Sequence, residues 1–177
     1  MPATTTFPAV RVETPRLLVR EYRPADAAGV TLVIAAREWE ALPPGAPSTP
    51  AGVWRWLAEE VHWFRTGGLG VHLAITDRAS GAHVGAMSLF NADWAAGTVE
   101  IGYGVRPHLR GHGYAPEALV SLTTWALSST AVRRTYLKTD PDNLASIRVA
   151  EKSGYTLDST VTDPPTGKDM LLFTHAP

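Results

Sequence analysis

Hydrophobic residues recur along this chain with two periods, every second residue in some segments and every third or fourth residue in others. The first spacing predicts half-buried strands and the second predicts amphipathic helices. The predicted strands cover residues 17–22, 70–77, 82–90, 97–105, 134–139, 154–160 and 168–174. The predicted helices cover residues 25–36, 50–65, 114–128 and 143–152. This order of elements predicts an α/β fold, a mixed sheet with helices on its faces.

Two connecting segments have a clear local prediction. Asp77–Gly81 is typical of a hairpin turn. Residues 40–50 contain four prolines and therefore predict a loop, either a simple connector or the lip of a substrate site. In the helix that follows, Trp54, Leu57 and Val61 are spaced to pack on the core, and the wall of an acceptor pocket is the alternative.

The most informative segment is Arg110–Ala115, which joins the predicted strand 97–105 to the helix 114–128. The first N–H groups of a helix have no intrahelical partner and lie at its positive end, so small residues there let a phosphate approach. Two commoner phosphate loops do not fit, because Pro116 replaces the third glycine of the dinucleotide pattern and the Gly-Lys-Ser/Thr of a P-loop is absent. A purely structural glycine turn is the alternative.

Three segments carry a resemblance to a known family. Arg110, Gly113 and Ala115 form R-x-x-G-x-A, which resembles the acyl-coenzyme A loop of the GCN5-related N-acetyltransferase (GNAT) superfamily. Asp142–Tyr155 resembles the second cofactor segment of that family, N-x-x-S followed by E-K-x-G-aromatic. Glu13–Ala27 resembles the opening strand and helix of the RimJ/RimL branch, which includes ribosomal-protein alanine acetyltransferases. The three segments occur in family order and span nearly the whole chain.

The resemblance implies a GNAT acyl-CoA N-acyltransferase fold with a mainly antiparallel sheet. We expect one domain over residues 1–177, with a flexible segment at residues 1–10. The expected cofactor is acetyl-CoA, with its pantetheine arm along the end of the strand before the loop. The residues expected to bind it are Gly104, Val105, Arg110, Gly111, His112, Gly113, Tyr114, Ala115, Asn143 and Ser146. Asn143 is equally a candidate for capping its own helix.

An amine that attacks a thioester must first lose a proton, so a base is needed beside the reacting carbonyl. Glu100 is the candidate general base, because its strand runs next to the loop and its neighbours Val99 and Ile101 are apolar. The alternative is that Glu100 lies on the polar face of a half-buried strand. Gly102 and Gly104 on the same strand indicate a bulge or the close approach of another backbone, or simply room for a neighbouring side chain.

The departing thiolate would benefit from a proton donor. Many members of the superfamily have a tyrosine for this purpose seven residues after the asparagine, and Ala150 stands at that position here. The RimJ/RimL branch tends to lack this tyrosine as well. Ser146 is the remaining candidate donor, with a local hydrogen bond to the backbone as the alternative.

Composition narrows the function classes further. A net charge of −1 and no basic stretch argue against nucleic acid as the partner. The chain has no cysteine, which excludes disulfides and thiolate sites, and its six histidines show no metal-ligand spacing, so we predict no metal. No apolar run is long enough to span a bilayer, and no signal peptide is evident, so we expect no membrane and a cytoplasmic protein.

The sequence therefore predicts a GNAT-type enzyme that transfers an acetyl group from acetyl-CoA directly to a primary amine. The acceptor is a protein N-terminus or a small-molecule amine, and a homodimer is left open. One alternative is a non-catalytic domain that binds or senses acyl-CoA. Another is the same fold with a longer acyl donor, since the recognised segments contact only the shared coenzyme.

Overall fold

The computed structural model describes residues 6–177. The strands are β1 (Arg11–Glu13), β2 (Leu17–Glu21), β3 (Val71–Asp77), β4 (His83–Asp93), β5 (Thr98–Val105), β6 (Arg134–Thr139), β7 (Thr156–Thr162) and β8 (Asp169–His175). The α-helices are α1 (Ala27–Ala35), α2 (Val53–Arg55), α3 (Val61–Thr66), α4 (Tyr114–Ser129) and α5 (Leu144–Lys152). Within these residues, no helix is both long and apolar enough to cross a membrane.

The strands form one sheet in the order β1-β2-β3-β4-β5-β6-β8-β7. Every neighbouring pair is antiparallel except β5 and β6, which run parallel. Helix α4 connects these two strands, as expected for a parallel pair, which needs a long crossover. The prediction of a mixed, mainly antiparallel sheet flanked by helices is confirmed.

Strands β5 and β6 pair over only three residues before they separate. The last pair in register is Glu100 with Tyr136, although β5 continues to Val105 and β6 to Thr139. Beyond this pair, β5 remains bonded to β4 and β6 remains bonded to β8. The sheet thus contains an internal gap, whose two edges diverge from the Glu100–Tyr136 pair.

Helices cover the two faces of the sheet with separate hydrophobic clusters. On the α4–α5 face, the cluster includes Val99, Ile101, Leu119, Leu122 and Leu137. On the α1–α3 face, the cluster is formed by buried residues of α1, the helical segment that contains α2 and α3, β3 and the residue after β2. It includes Tyr22, Val30, Val33, Ile34, Val53, Trp56, Leu57, Val61 and Ala74. Because side chains alternate along a strand, consecutive residues of β5 point to opposite faces.

The predicted helix 50–65 contains a π-helical turn, Trp56–Glu60, between α2 and α3. A π turn inserts a residue into the helical repeat and rotates the buried stripe. Leu57 and Val61 are buried as predicted, and Trp56 is the third buried residue of this segment. Trp54 instead faces solvent, with 65% of the residue exposed. The prediction that Trp54 packs on the core is therefore wrong.

The start of the described chain is anchored to the core. Phe7 and Val10 are buried, and the Phe7 ring lies 4.7 Å from that of Trp94, centroid to centroid. Residues 6–10 therefore differ from the flexible segment expected there, because two apolar side chains hold them against the sheet. Residues 1–5 of that expected segment lie outside the described residues.

A buried hydroxyl network joins α4, β6 and Tyr155, which lies three residues beyond the end of α5. The Tyr155 hydroxyl lies 2.7 Å from Thr123 Oγ1 and 2.8 Å from Thr135 Oγ1. Burial raises the pKa of Tyr155, so the phenol stays neutral and its hydrogen bonds satisfy the buried oxygens. Gly154 (φ 80°) follows α5 in a left-handed conformation and delivers Tyr155 to this network.

The proline-rich loop is anchored on β5 through a close approach of two backbones. A Cβ atom added to Gly104 would lie 1.6 Å from the backbone carbonyl oxygen of Glu40. A Cβ atom added to Gly102 would meet only the ring edge of Phe90, at 3.0 Å. The expectation of a close backbone approach fits Gly104, and the alternative of room for a side chain fits Gly102. Gly104 therefore fixes the position of the loop over the end of β5.

We predict that Gly104→Ala lowers the free energy of unfolding by about 3 kcal/mol, because a backbone oxygen that cannot move aside occupies the space of the new methyl group. Gly102→Ala is the matched control and costs less, since the Phe90 ring can rotate. Urea unfolding of both variants measures the difference. Equal losses in the two would contradict the role assigned to the Glu40 contact.

Candidate functional site

A cavity of about 550 Å³ lies between the end of β5, the start of α4 and one side of α5. Its lining residues are Glu40, Tyr103, Gly104, Val105, Leu109, Arg110, Gly111, Gly113, Tyr114, Ala115, Pro116, Asn143, Ala145, Ser146, Arg148, Val149 and Lys152. All of the predicted cofactor residues except His112 are among them. The fold thus brings the two predicted cofactor segments to one cavity.

The loop at one end of the cavity exposes the start of α4. Gly113 is the N-cap residue in a left-handed conformation (φ 79°), and Pro116 lies in the first turn of the helix, where a missing N–H costs no intrahelical bond. Backbone hydrogen bonds stop at Arg110, whose N–H donates to Pro107, and resume at Glu117, whose N–H donates to Gly113. The main-chain N–H groups between these two bonds are open to a ligand at the positive end of the helix.

The amino-terminal segment holds this loop in place. Arg16 donates from Nη1 to the carbonyl of His112 (2.9 Å) and from Nε to Glu117 (2.7 Å), and its guanidinium lies 4.5 Å from the centre of the Tyr114 ring. Thr14 also donates to Glu117. Burial alone would raise the pKa of Glu117, but the hydrogen bonds from Thr14 and Arg16 outweigh it and place this pKa below its ordinary value.

Arg110 is bound to the protein on two sides. Its Nε donates to the carbonyl of Val105 (3.0 Å), and its guanidinium forms an ion pair with Glu40 in the proline-rich loop. A second ion pair joins Arg106 to Glu38 at 2.6 Å. The two pairs and the Gly104 contact attach this loop and the residues just before it to the wall of the cavity.

His112 contributes to the loop through its backbone rather than its side chain. The side chain lies outside the cavity, since its Nδ1 faces the carbonyls of Leu109 (3.2 Å) and Arg110 (3.0 Å), whereas its main-chain N–H is one of the open groups described above. Arg148 and Lys152 of α5 line the cavity instead. Their spacing of four residues puts them on one side of the helix, a signal that the sequence contained.

At the other end of the cavity, Asn143, Ser146 and Tyr103 are connected. Asn143 Oδ1 accepts a hydrogen bond from the Ser146 N–H (3.0 Å), so Asn143 does cap α5. The Ser146 hydroxyl lies 3.0 Å from the hydroxyl of Tyr103 rather than on the backbone of its own helix. Burial raises the pKa of Tyr103, although the Ser146 contact works in the opposite direction. Tyr103 was not among the predicted site residues.

Glu100 lies on the opposite face of β5 from the cavity. It is buried, with 5% of the residue exposed, and its Oε2 accepts from Asn91 Nδ2 (2.9 Å) and lies 3.4 Å from Lys138 Nζ. Burial, and then the charge of Glu100, raise the pKa of the Tyr136 hydroxyl to about 12. The apolar neighbours Val99 and Ile101 point into the α4–α5 core rather than toward the carboxylate. Glu100 is therefore buried among polar groups.

Glu100 and the cavity meet at the gap in the sheet. Glu100 is the last residue of β5 that pairs with β6, and Tyr103 and Gly104, three and four residues further along, line the cavity. Lys138 is on the other side of the gap, and its Nζ also lies 3.5 Å from Asp163 Oδ1. A molecule that extends from the loop along β5 therefore reaches the gap from one face, with Glu100 on the other.

The α1–α3 face near Glu100 carries a second polar pair. His72 Nδ1 lies 2.8 Å from Ser88 Oγ, and Phe64 stacks on the imidazole at 4.7 Å between centroids. Ser88 is paired in register with Gly102, so this pair lies beside the same stretch of β5. Burial lowers the pKa of His72 to about 4, which keeps the imidazole neutral near neutral pH.

Comparison with known proteins identifies the family. The acetyltransferase (GNAT) domain family matches residues 16–156. This range covers most of the chain and includes both walls of the cavity. The protein therefore belongs to the GNAT acetyltransferase family, and the family prediction is confirmed.

Individual relatives agree with this assignment. An uncharacterized N-acetyltransferase, YjdG of Bacillus subtilis, is 39% identical over 62 residues, which are 35% of this chain and 37% of that protein. RimJ of Mycobacterium smegmatis, solved with a CoA disulfide, has a TM-score of 0.77 at 19% identity and covers 95% of this chain and 86% of its own. Ribosomal-protein-S5-alanine acetyltransferase of Vibrio fischeri has a TM-score of 0.76 at 18% identity, covering 94% and 96%. The chain thus shares its fold with these two acetyltransferases.

We predict that His72 makes stability depend on pH. Its pKa is about 4 in the folded protein, below the ordinary value of 6.5, so between these values the unfolded chain binds more protons and the free energy of unfolding rises with pH. One such group contributes a slope of at most about 1.4 kcal/mol per pH unit. His72→Gln removes this contribution, whereas His108→Gln, at an exposed histidine, retains it.

Urea unfolding at about pH 5 and about pH 7 measures the effect. When the pH is lowered from about 7 to about 5, the free energy of unfolding of the wild-type protein and of His108→Gln falls by about 1–2 kcal/mol more than that of His72→Gln. The same loss in all three proteins would show that the His72 imidazole is not held neutral by its burial.

Proposed function

We propose that this protein transfers an acetyl group from acetyl-CoA to a primary amine, with Glu100 as the general base. The observation that carries the proposal is the gap between β5 and β6, which the loop cavity approaches from one face and Glu100 borders on the other. RimJ of Mycobacterium smegmatis, which has the same fold, was solved with a form of CoA.

The cavity residues fit a coenzyme with a pyrophosphate. The open N–H groups at the start of α4 and the small residues Gly111, Gly113 and Ala115 allow phosphate oxygens to approach the main chain. Arg148 and Lys152 add positive charge from α5. Arg110 binds phosphate only after it exchanges its ion pair with Glu40 for the new anion.

The diverging edge of β5 fits the extended part of the coenzyme. A chain with amide groups can add to such an edge as an extra strand, by hydrogen bonds to main-chain N–H and C=O groups. Arg110 already occupies the carbonyl of Val105, so these bonds form with residues closer to the gap, Gly104 among them. A main-chain N–H at the gap then polarises the thioester carbonyl.

Acetyl-CoA supplies the activated thioester, and Glu100 accepts the proton that the attacking amine must lose. Asn91 fixes the direction of one carboxylate oxygen of Glu100 through its 2.9 Å hydrogen bond. Lys138 balances the negative charge of this buried group. The amine attacks directly, so no covalent intermediate with the protein is required.

The acceptor that we propose first is the N-terminal amine of a protein. Its support is the RimJ/RimL fold and the neighbour named as a ribosomal-protein-S5-alanine acetyltransferase. An amine approaches Glu100 from the α1–α3 face, past the partly buried Tyr136 and Lys138. A small-molecule amine is the second candidate, because the carboxylate can accept a proton from any amine that reaches it.

We predict that Ala115→Asp weakens acetyl-CoA binding at least about tenfold, because it places a carboxylate where the phosphate approaches α4. The control, Ala131→Asp, adds the same charge at an exposed position beyond the other end of α4 and retains binding. Titration calorimetry measures both. A folded wild-type protein that does not bind acetyl-CoA would refute the cofactor assignment and the proposed function.

We predict that Glu100→Gln lowers kcat by about 10²- to 10⁴-fold without a change in the affinity for acetyl-CoA, since only the proton acceptor is removed. Glu59→Gln, at an exposed position on the helical segment, is the control and leaves kcat unchanged. Release of the CoA thiol is followed with alanine-initiated peptides and small amines. Normal turnover in Glu100→Gln would disprove the base, and binding without turnover of any amine would favour a non-catalytic acyl-CoA domain.

A further inference from the structure

The reaction proposed above ends with a thiolate that needs a hydrogen-bond donor. The position on α5 where many family members have a tyrosine for this purpose is occupied here by Ala150. Ala150 is fully buried in the α4–α5 core and has no donor group. Ser146, one turn earlier on α5, lines the cavity, and its hydroxyl is already engaged with Tyr103. The hydroxyls of Tyr103 and Ser146 are therefore the candidate donors to the sulfur.

Tyr103 enters the cavity from the strand side. Its hydroxyl lies 3.0 Å from Ser146 Oγ and 3.3 Å from the Ser146 carbonyl oxygen, so β5 and α5 are joined at this point. Tyr103 is two residues from Val105 and three from Glu100, or about 7 and 10 Å along an extended strand. Its phenol thus lies between the part of β5 assigned to the extended arm of the coenzyme and the gap where the amine attacks.

We propose that Tyr103 is a catalytic residue whose hydroxyl, oriented by Ser146, donates a hydrogen bond to the coenzyme sulfur as the thioester is cleaved. This inference rests on the proposed function. It assigns to β5 the role that a tyrosine on α5 would otherwise have.

The step balances without a further reactant. The C–N bond forms and the C–S bond breaks, with the electron pair of the latter remaining on sulfur, and Glu100 takes the proton from nitrogen. Tyr103 keeps its own proton, because burial raises its pKa above 10 whereas a thiol ordinarily has a pKa of about 8.5. It therefore stabilises the negative sulfur as a hydrogen-bond donor. The thiolate takes a proton from water after release.

Ser146 is a positioning residue in this scheme. The Tyr103 hydroxyl can donate to only one acceptor at a time, and Ser146 offers both a hydroxyl and a carbonyl within reach. When the sulfur becomes negative, the Tyr103 hydroxyl donates to it and the Ser146 hydroxyl donates to the Tyr103 oxygen. The second hydrogen bond strengthens the first, because donors in a chain polarise one another.

The test is the pKa of the CoA thiol when CoA is bound to the protein, followed by the ultraviolet absorbance of the thiolate across a pH titration. A donor at sulfur lowers this pKa. We expect it to be about one unit higher in Tyr103→Phe than in the wild-type protein, a tenfold loss of thiolate at a given pH. The matched control is Tyr22→Phe, which removes a buried hydroxyl without a hydrogen-bond partner from the α1–α3 face and leaves the thiol pKa unchanged.

Kinetics provide the second readout. Tyr103→Phe lowers kcat at least about tenfold with little change in the Kd of acetyl-CoA, because the hydrogen bond forms fully only as charge develops on sulfur. Tyr22→Phe retains kcat. A merely structural role for Tyr103 would alter Kd or the unfolding midpoint and leave the thiol pKa of bound CoA where it is in the wild-type protein.

The outcomes separate this inference from the proposed function. An unchanged thiol pKa in a folded Tyr103→Phe that binds CoA normally overturns the role of Tyr103 and leaves the acetyltransferase proposal intact. Failure of the wild-type protein to bind CoA overturns the proposed function itself. If Tyr103→Phe does not fold, Ser146→Ala decides, since loss of the orienting partner raises the thiol pKa by a smaller amount, and no rise overturns the proposal.

Discussion

The separation of β5 from β6 after the Glu100–Tyr136 pair is the constraint on which the rest of the site depends. Each strand keeps its other neighbour, so the two halves of the sheet remain intact while their inner edges part. The gap makes one edge of β5 available to a ligand within the body of the protein. It also brings the two faces of the sheet into contact at one point, so that groups from opposite faces can act on the same atoms.

Holding the two sides of the gap in place requires contacts from distant parts of the chain. Arg16 and Thr14, from the segment between β1 and β2, fix Glu117 and the loop at the start of α4. On the other side, the Tyr155 hydroxyl connects α4 to β6 through Thr123 and Thr135. The Tyr155 hydrogen bonds are buried, so losing one partner leaves the others unsatisfied, whereas the Arg16 side chain, 44% exposed, acts by joining two segments of the loop region. The geometry of the site is therefore a property of the whole sheet rather than of the loop alone.

Much of this arrangement could be predicted from the sequence, because it is encoded locally. The apolar repeat of α4, the proline in its first turn and the glycine after α5 each specify one element without reference to the rest of the chain. The π turn could not be predicted, since the shift of Trp54 to solvent results from packing of the helical segment on the sheet. The role of Tyr103 was hidden for a similar reason: its partner Ser146 is 43 residues away, and only the meeting of β5 with α5 brings the two hydroxyls together.

The gap also bears on how an exposed strand edge is kept from unwanted association. An unpaired edge at the outside of a sheet is a template for other chains, and proteins usually protect it with charges, bulges or a cover. Here the unpaired part of β5 lies in the interior of the sheet, with β4 behind it, α5 beside it and Arg110 across its end. An extended ligand can reach this edge through the cavity, whereas the edge strand of a second folded chain would have to displace β4, α5 or Arg110 to pair with it. The same enclosure that holds a ligand therefore also protects the edge from aggregation.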